Sequence, residues 1–263
     1  MDDNQNVALF ALERREQICE LLQVNSKVTV AELCGIFHVS AATIRSDLRR
    51  LSSENKLMRT HGGAIIEGKA TFEPTSVEKE VSNISEKNKI AEAAVQFIES
   101  GDTIALDTGT TTFELCKHLG NKSGLTIVTN DIRIASYLEL HSEATIILTG
   151  GEIRRGLSCT TGPITLSGLT NINVDKAFMA TNAFSIEKGF TTPAISQSEV
   201  KRRFIAMASE VYMLADSSKI GRISFSKFAD IQDIHVWIID SNISKRAQKA
   251  IAEMNPDLKI HIV

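Results

Sequence analysis

Apolar residues keep two different rhythms along this chain, and the change between them divides it. Over the first 66 positions the rhythm is helical. LERREQICELL, residues 12–22, repeats apolar side chains at Leu12, Ile18, Leu21 and Leu22 and predicts a first helix. Thr29 and Glu32 stand at capping-box spacing, so a second helix is expected to begin at Val30 and to end near His38 and Val39. Ser40 then caps a third helix over residues 41–51. At about 100° per residue, Ile44, Leu48 and Leu51 share one face of it, with Ala41 beside them; that face packs on the first two helices. KLMRTHGGAII, residues 56–66, follows as two short β-like runs about the Gly62 and Gly63 pair, a hairpin signal. Three helices and a hairpin predict a winged helix-turn-helix over residues 1–66.

A polar, weakly patterned stretch over residues 67–85 reads as a linker. From residue 86 to 263 short apolar runs alternate with helical patterns. Strands are predicted at 103–107, 125–129, 145–149, 176–180, 211–216, 235–240 and 259–263. Helices are predicted at 90–98, 113–119, 132–140, 199–209 and 245–254. That alternation predicts an α/β domain with a mostly parallel, buried sheet.

Charge sharpens the first domain. The chain is acidic overall, with a formal net charge of -3, and has no general attraction for nucleic acid. Residues 40–61 are the reverse: Arg45, Arg49, Arg50, Lys56 and Arg59 against Asp47 and Glu54, an excess of +3. Opposite its apolar face the third helix presents Ala42, Thr43, Arg45, Ser46, Arg49 and Arg50. Small residues come first and long cations after, which suits a helix entering a groove while arginines reach phosphates. The candidate DNA contacts are therefore Ser40, Ala42, Thr43, Arg45, Ser46, Arg49, Arg50, Arg59 and His61. Asp47 lies toward the packed flank and is expected to hold an arginine. A solvated helix face is the alternative reading of the same residues.

Other chemistry finds little support. Cys19, Cys34, Cys116 and Cys159 form no C-x-x-C pair, and the histidines are scattered, so neither a disulfide nor a metal site is expected. No cofactor is called for. There is no apolar run of about 18 residues to span a membrane, and MDDNQNVALFALERRE carries acids where a secretory signal carries base. A cytoplasmic location is expected.

In parallel α/β sheets, ligands gather beyond the carboxyl ends of the strands. DTGTTTFEL, residues 107–115, offers Asp107, Gly109, Thr110, Thr111 and Thr112 between a strand and a helix, a combination suited to a phosphate monoester. VTND adds Asn130, LTGGEIRRG adds Gly150, Gly151 and Arg154, and LADSSKIGR adds Lys219 behind Asp216, Ser217 and Ser218. Each also has a plain reading as a cap, a turn or a surface charge. No Walker loop and no G-x-G-x-x-G occurs.

The stretch containing VSAATIRSDLRRL and LMRTHGGA resembles the DeoR family of bacterial sugar-metabolism repressors, whose pattern is close to V-S-x-x-T-I-R-R-D-L followed by R-x-H-G-G-A. It matches at Val39, Ser40, Thr43, Ile44, Arg45, Asp47, Leu48, Arg59, His61, Gly62, Gly63 and Ala64, and departs at Ser46, where a second arginine is usual. Residues from about 75 to 240 are similar to that family's effector domain through D-x-G-[ST]-T, G-G-x-x-R, D-K-A-F, G-x-T-T-P, E-V-K and D-S-S-K. The resemblance implies a fold like ribose-5-phosphate isomerase and the coenzyme A transferases, with the threonine loop holding an effector's phosphate and Lys219 facing the sugar. It implies a repressor that binds double-stranded operator DNA, answers to a phosphorylated sugar, and works as a homo-oligomer, a dimer or a tetramer. One segment departs: MATNAFS places Ala180 and Ala183 where glycines are usual and Asn182, a further candidate effector contact, where Asp or Ser is common. The rival readings are a sugar-phosphate isomerase or transferase with an accessory N-terminal domain, and a structural DNA-binding protein.

Overall fold

The computed structural model describes residues 11–263 apart from 26, 55, 61, 66–69 and 72, and the chain forms two compact units that meet in sequence at residues 74 and 75. In the first, α1 (Ala11–Asn25), α2 (Val30–Phe37) and α3 (Ala41–Ser53) enclose a small core of Ile18, Leu22, Leu33, Phe37, Ile44, Leu48 and Leu51. The capping box forms as its spacing requires: Glu32 N–H donates to Thr29 Oγ1 at 3.1 Å, and Thr29 N–H donates back to Glu32 Oε2 at 2.7 Å. His38 closes α2 in the left-handed region, φ 53°, its N–H reaching Cys34 O. Two residues later Ser40 caps α3, accepting from Thr43 N–H at 3.2 Å. Leu12, counted among the repeating apolar positions, is 63% exposed, because the buried face of α1 is set by Ile18 and Leu22.

The hairpin strands β2 (Met58–Thr60) and β3 (Gly63–Ile65) pair antiparallel, and β1 (Lys27–Thr29), which no pattern announced, adds a third strand against β3. Gly63 is fixed by that approach: a Cβ there would stand 1.9 Å from Val28 O. Asp47 does hold an arginine, and it comes from α1. Arg14 Nε donates to Asp47 Oδ2 at 2.7 Å, with both side chains 8% exposed.

The second unit opens inside the stretch read as a linker. Thr75 and Glu78 make another capping box and start α4 (Ser76–Glu80); Ser76 N–H donates to Gly156 O at 2.8 Å, and α5 (Ile84–Ala94) follows. The T-x-x-E spacing was present in a segment whose polarity masked it.

Then β4 (Thr103–Leu106), α6 (Thr110–Cys116), β5 (Thr126–Thr129), α7 (Ile132–His141) and β6 (Thr145–Leu148) alternate. A hairpin of β7 (Glu152–Arg154) and β8 (Cys159–Thr161) and a short α8 (Pro163–Gly168) lead to β9 (Val174–Ala180). After β10 (Ala183–Ser185) and β11 (Gly189–Thr192) come α9 (Ile195–Ala206), β12 (Ala208–Leu214), β13 (Ser226–Ala229), β14 (Val236–Ile239), α10 (Lys245–Met254) and β15 (Lys259–Ile262).

Seven strands form one wholly parallel sheet in the order β15-β14-β12-β9-β4-β5-β6. Strand residues alternate between two cores. Leu106, Ile127, Phe178 and Leu214 face α5, α6 and α7, whereas Ala105, Val128, Met179 and Met213 face α9, α10 and the small antiparallel sheet β10-β11-β13. The helix expected at 199–209 ends earlier, at Ala206, because β12 begins at Ala208 to pair with Val174. From β4 the chain winds through β5 to β6, then returns to place β9 on the other side of β4. The sheet's topological switch point lies between these two strands, above Leu106 and Phe178.

The Arg14–Asp47 pair generates a test. Asp47→Ala leaves a guanidinium in a site built for a carboxylate and is expected to cost about 3 kcal/mol. Helical signal should be lost in a lower-temperature transition while fluorescence of Trp237, buried in the second unit, is unchanged. A single unshifted transition would show that the pair contributes nothing.

Candidate functional site

On the first unit, Ala42, Arg45, Ser46, Arg49 and Arg50 are exposed along one side of α3, Thr43 is half-buried, and Arg59 is exposed on β2. His61 lies outside the described residues. Ser40 and Thr43 already have structural work, since their hydroxyl oxygens stand 2.9 Å apart within the cap. Arg50 Nε donates to Glu54 Oε1 at 2.8 Å, and Lys56 also approaches Glu54, at 3.0 Å. Lys56 and Arg50 together hold the Glu54 carboxyl below its ordinary value. Among the described residues Arg45 and Arg49 make no ion pair, so they are the arginines of this helix most available to phosphates.

In the second unit the expected residues fall at the carboxyl edge of the sheet, in two groups. The first surrounds the switch point. Asp107, directly after β4, is fully buried; its Oδ2 accepts from Ala180 N–H at 3.0 Å and from Lys201 Nζ. Lys201 also donates to Ala180 O at 2.7 Å. Burial pushes the Asp107 carboxyl up, opposed by the Lys201 charge. Thr110, Thr111 and Thr112 are buried in the first turn of α6, which begins three residues before the expected start, and Thr112 Oγ1 donates to Gly109 O at 2.9 Å. Thr108 Oγ1 donates to Asp131 Oδ2 at 2.6 Å, while Asp131 Oδ1 caps α7 by accepting from Arg133 and Ile134 N–H. Burial raises the Asp131 carboxyl against the pull of those hydrogen bonds.

Asn130 is buried beside this group, its Nδ2 donating to Thr160 O at 2.8 Å. Gly151, at φ 140°, is required by packing, since a Cβ would stand 2.1 Å from Thr165 Oγ1. Gly150 O accepts from Thr165 Oγ1 at 2.7 Å. Arg154 sits half-buried on the β7-β8 hairpin. Asn182, between β9 and β10, accepts from Thr192 Oγ1 at 3.0 Å.

The second group lies past β12. Asp216 Oδ1 accepts from Asn83 Nδ2 at 2.9 Å and from Ser218 N–H at 3.0 Å, and Lys219 Nζ stands 3.6 Å from its Oδ2. Burial opposes ionisation of Asp216, yet Lys219, Ser218 and Lys87 hold its carboxyl below the ordinary value. Lys87, on α5, is 5% exposed and donates to Lys79 O and Ser82 O, each at 2.5 Å. Burial, and then the neighbouring Lys219 charge, bring its pKa down to about 8. Helix α5 packs along α6, whose first turn holds the three threonines. Lys87 and Lys219 thus both act on Asp216, with Glu114 and Lys79 also acting on Lys87, a cluster of charge able to answer an anion.

Sequence reasoning missed Lys87, Asn83, Asp131 and Lys201 as site members. Lys201 had a signal in the E-V-K motif and Asp131 in VTND; nothing distinguishes Lys87 from its neighbours in EKNKIAE. Among the described residues no cluster of His, Cys, Asp and Glu is placed to hold a metal, and no helix is long and apolar enough to cross a membrane.

A family model described as the DeoR C terminal sensor domain matches residues 82–241, and one described as the DeoR-like helix-turn-helix domain matches residues 14–69. The chain is 35% identical over 244 residues to the HTH-type transcriptional regulator GlpR of Haloferax volcanii, covering 92% of this chain and 95% of that protein. It is 33% identical over 240 residues to the HTH-type transcriptional repressor GlcR of Bacillus subtilis, covering 88% and 89%. A solved D-ribose-5-phosphate isomerase in complex with phospho-erythronic acid aligns with 52% of this chain and 54% of its own, at a TM-score of 0.40 and 18% identity.

Two expected outcomes follow from the geometry. A Cβ on Gly109 would meet Ala180 Cβ at 2.7 Å. Gly109→Ala should destabilise the second unit by about 1–3 kcal/mol, and Ala180→Gly in the same chain should recover part of that loss, measured by urea unfolding followed at Trp237. Additive losses in the double variant would show that the two positions do not compete for space. For Lys87, the ammonium is charged in both states below pH about 8, so its burial cost is fully present there. Between about 8 and the ordinary 10.5 the folded state sheds this proton first, and the group's contribution to stability rises with pH. Wild type should therefore gain on Lys87→Met as pH is raised from about 7.5 to 9.5; a constant difference would place the lysine in a solvated environment.

Proposed function

The chain belongs to the DeoR family of HTH-type transcriptional regulators, and from that premise we propose that a phosphorylated sugar, held at the carboxyl edge of its seven-stranded sheet, sets how tightly its winged units grip operator DNA. The chain is a DNA-binding regulator and not an enzyme. The reading takes residues 1–66 as the DNA-binding part and residues 86–263 as the sensor, working in the cytoplasm.

The observation that supports the effector class is the approach of Lys87 and Lys219 to Asp216, which assigns Lys219 to the phosphate and not to the sugar, where the resemblance put it. A buried lysine beside a second cation is unfavourable until an anion arrives. A phosphate dianion supplies that charge, and the nearby threonine hydroxyls and N–H groups supply donors for its oxygens. A sugar provides the remaining polar surface for Asp107, Asn130 and Asn182.

On the DNA side, Ala42 and Ser46 suit the close approach of α3 to base edges, while Arg45, Arg49 and Arg59 suit phosphates. One short recognition helix reads few base pairs, so a homo-oligomer presenting two or four copies to repeated half-sites gives the needed selectivity. The regulator acts as a repressor in this reading, in line with the name of the Bacillus subtilis relative.

Arg49→Ala is expected to weaken binding to all DNA sequences alike and to flatten the dependence of log affinity on log salt by about one unit. An unchanged slope would remove Arg49 from the phosphate contacts. In a thermal-shift screen of aldose and ketose phosphates, at least one should stabilise the wild type by roughly 2.7 kcal/mol at about 100 times its Kd, and should alter operator binding. Lys219→Met should lose that shift while binding DNA normally. A panel without any shift would overturn the effector class.

A further inference from the structure

Helix α9 runs back across the sheet from β11 to β12, so its first turn lies at the carboxyl edge, the same edge as Asp107 and Asn130. That first turn has no side-chain cap. It carries Gln197, a residue for which neither charge nor motif suggests a role. Its side chain is nevertheless 1% exposed.

Gln197 closes a ring of side chains around the switch point. Four residues further along the same face of α9 stands Lys201, bound to Asp107 and to Ala180 O. On the other side, Gln197 Oε1 accepts from Cys159 Sγ at 3.6 Å. Cys159 precedes Thr160, whose backbone is paired with Asn130: Thr160 N–H donates to Asn130 O at 2.9 Å, and Asn130 Nδ2 donates to Thr160 O. Asn130 and Asp107 follow adjacent, paired residues of β5 and β4, Thr129 and Leu106. Asp107, Lys201, Gln197, Cys159 and Asn130 are thereby linked, some by hydrogen bonds and the others by neighbouring position along one element.

Three polar atoms of this ring are buried without a hydrogen-bond partner: Asp107 Oδ1, Asn130 Oδ1 and Gln197 Nε2. The large majority of buried side-chain polar atoms in folded proteins are hydrogen-bonded, and three unpartnered ones on linked residues constitute a recognition pattern. The pattern is two acceptors and one donor. Adjacent hydroxyl groups of a sugar answer it, because each hydroxyl donates one proton and accepts through its lone pairs. A phosphate does not, since an anion gains nothing from two acceptor oxygens. We infer that Gln197 is a specificity-determining residue of the effector site, reading a sugar hydroxyl through its side-chain amide while Asp107 and Asn130 accept from the same or the neighbouring hydroxyl. The inference rests on the sugar-phosphate reading and divides its labour: the lysine group takes the phosphate, and the α9 ring takes the carbon chain.

The experiment uses the full chain and calorimetric titration with glucose 6-phosphate, fructose 6-phosphate, their monodeoxy analogues and inorganic phosphate. Wild type should bind one hexose phosphate and lose about tenfold in affinity for the analogue that lacks the hydroxyl read by Gln197. Gln197→Met, matched in length but without the amide, should bind the parent about tenfold more weakly. It should treat parent and deoxy analogue alike and leave inorganic phosphate changed by less than about twofold. Gln197→Glu, of the same shape, should reproduce the loss of discrimination if the Met variant melts early. Should wild type bind neither these nor any other aldose or ketose phosphate of the thermal-shift panel, the effector reading itself falls. Should it bind, but with no deoxy analogue weakened, or with Gln197→Met retaining the discrimination, Gln197 is a packing residue and this inference alone is overturned.

Discussion

A carboxylate and an ammonium, both taken out of water, meet where the parallel sheet reverses its order. Asp107 directly follows β4, Lys201 reaches down from α9, and the backbone of Ala180 at the end of β9 binds both. Burying such a pair yields little net stability, because each ion gives up its hydration. What it imposes is position. Three elements distant in sequence are held to one geometry, and the loops that leave β4 and β9 inherit it. The threonine turn, the Asn182 corner and the first turn of α9 all take their places from this contact.

Charge organises the chain at a larger scale. An overall excess of acid coexists with a basic recognition helix, so electrostatic attraction for DNA is confined to one surface. A second confined excess lies within the sensor, where Lys87 and Lys219 share Asp216. The first lies in solvent, its arginines exposed and screened by salt. The second is largely buried, Lys87 and Asp216 almost completely and Lys219 in part, where screening is weaker and charges act on one another more strongly.

Much of this was legible before the fold was known. Thr29, Glu32 and Ser40 announced their helices because a cap is a local device, settled within four residues, and Ile44, Leu48 and Leu51 marked the inner face of α3 by spacing alone. Seven strands showed as apolar runs; the five inner ones are covered on both faces, whereas the edge strands β6 and β15 keep apolar residues such as Leu148 and Ile262 exposed. The failures were non-local. Strand β1 has three residues and exists because β3 is there to pair with it. α4 was hidden in a polar segment, and Gln197 and Lys87 look ordinary until the fold brings α9 and α5 to the strand ends. Asp47 was recognised as an arginine's partner, but Arg14, 33 positions away, had to be found in the structure.

Helix α3 divides its labour cleanly by side. Ile44, Asp47, Leu48 and Leu51 hold the helix to the unit, and His38 and Ser40 set its entry through backbone and cap. Ala42, Arg45, Ser46 and Arg49 point outward and add almost nothing to that hold. Substitutions on the outer side thus leave folding nearly untouched; in the DNA-contacting role proposed for these residues, a lineage can exchange one operator for another by small steps without passing through an unstable intermediate. Ser46, the one departure from the DeoR-like pattern of this helix, is the sort of change such an arrangement tolerates.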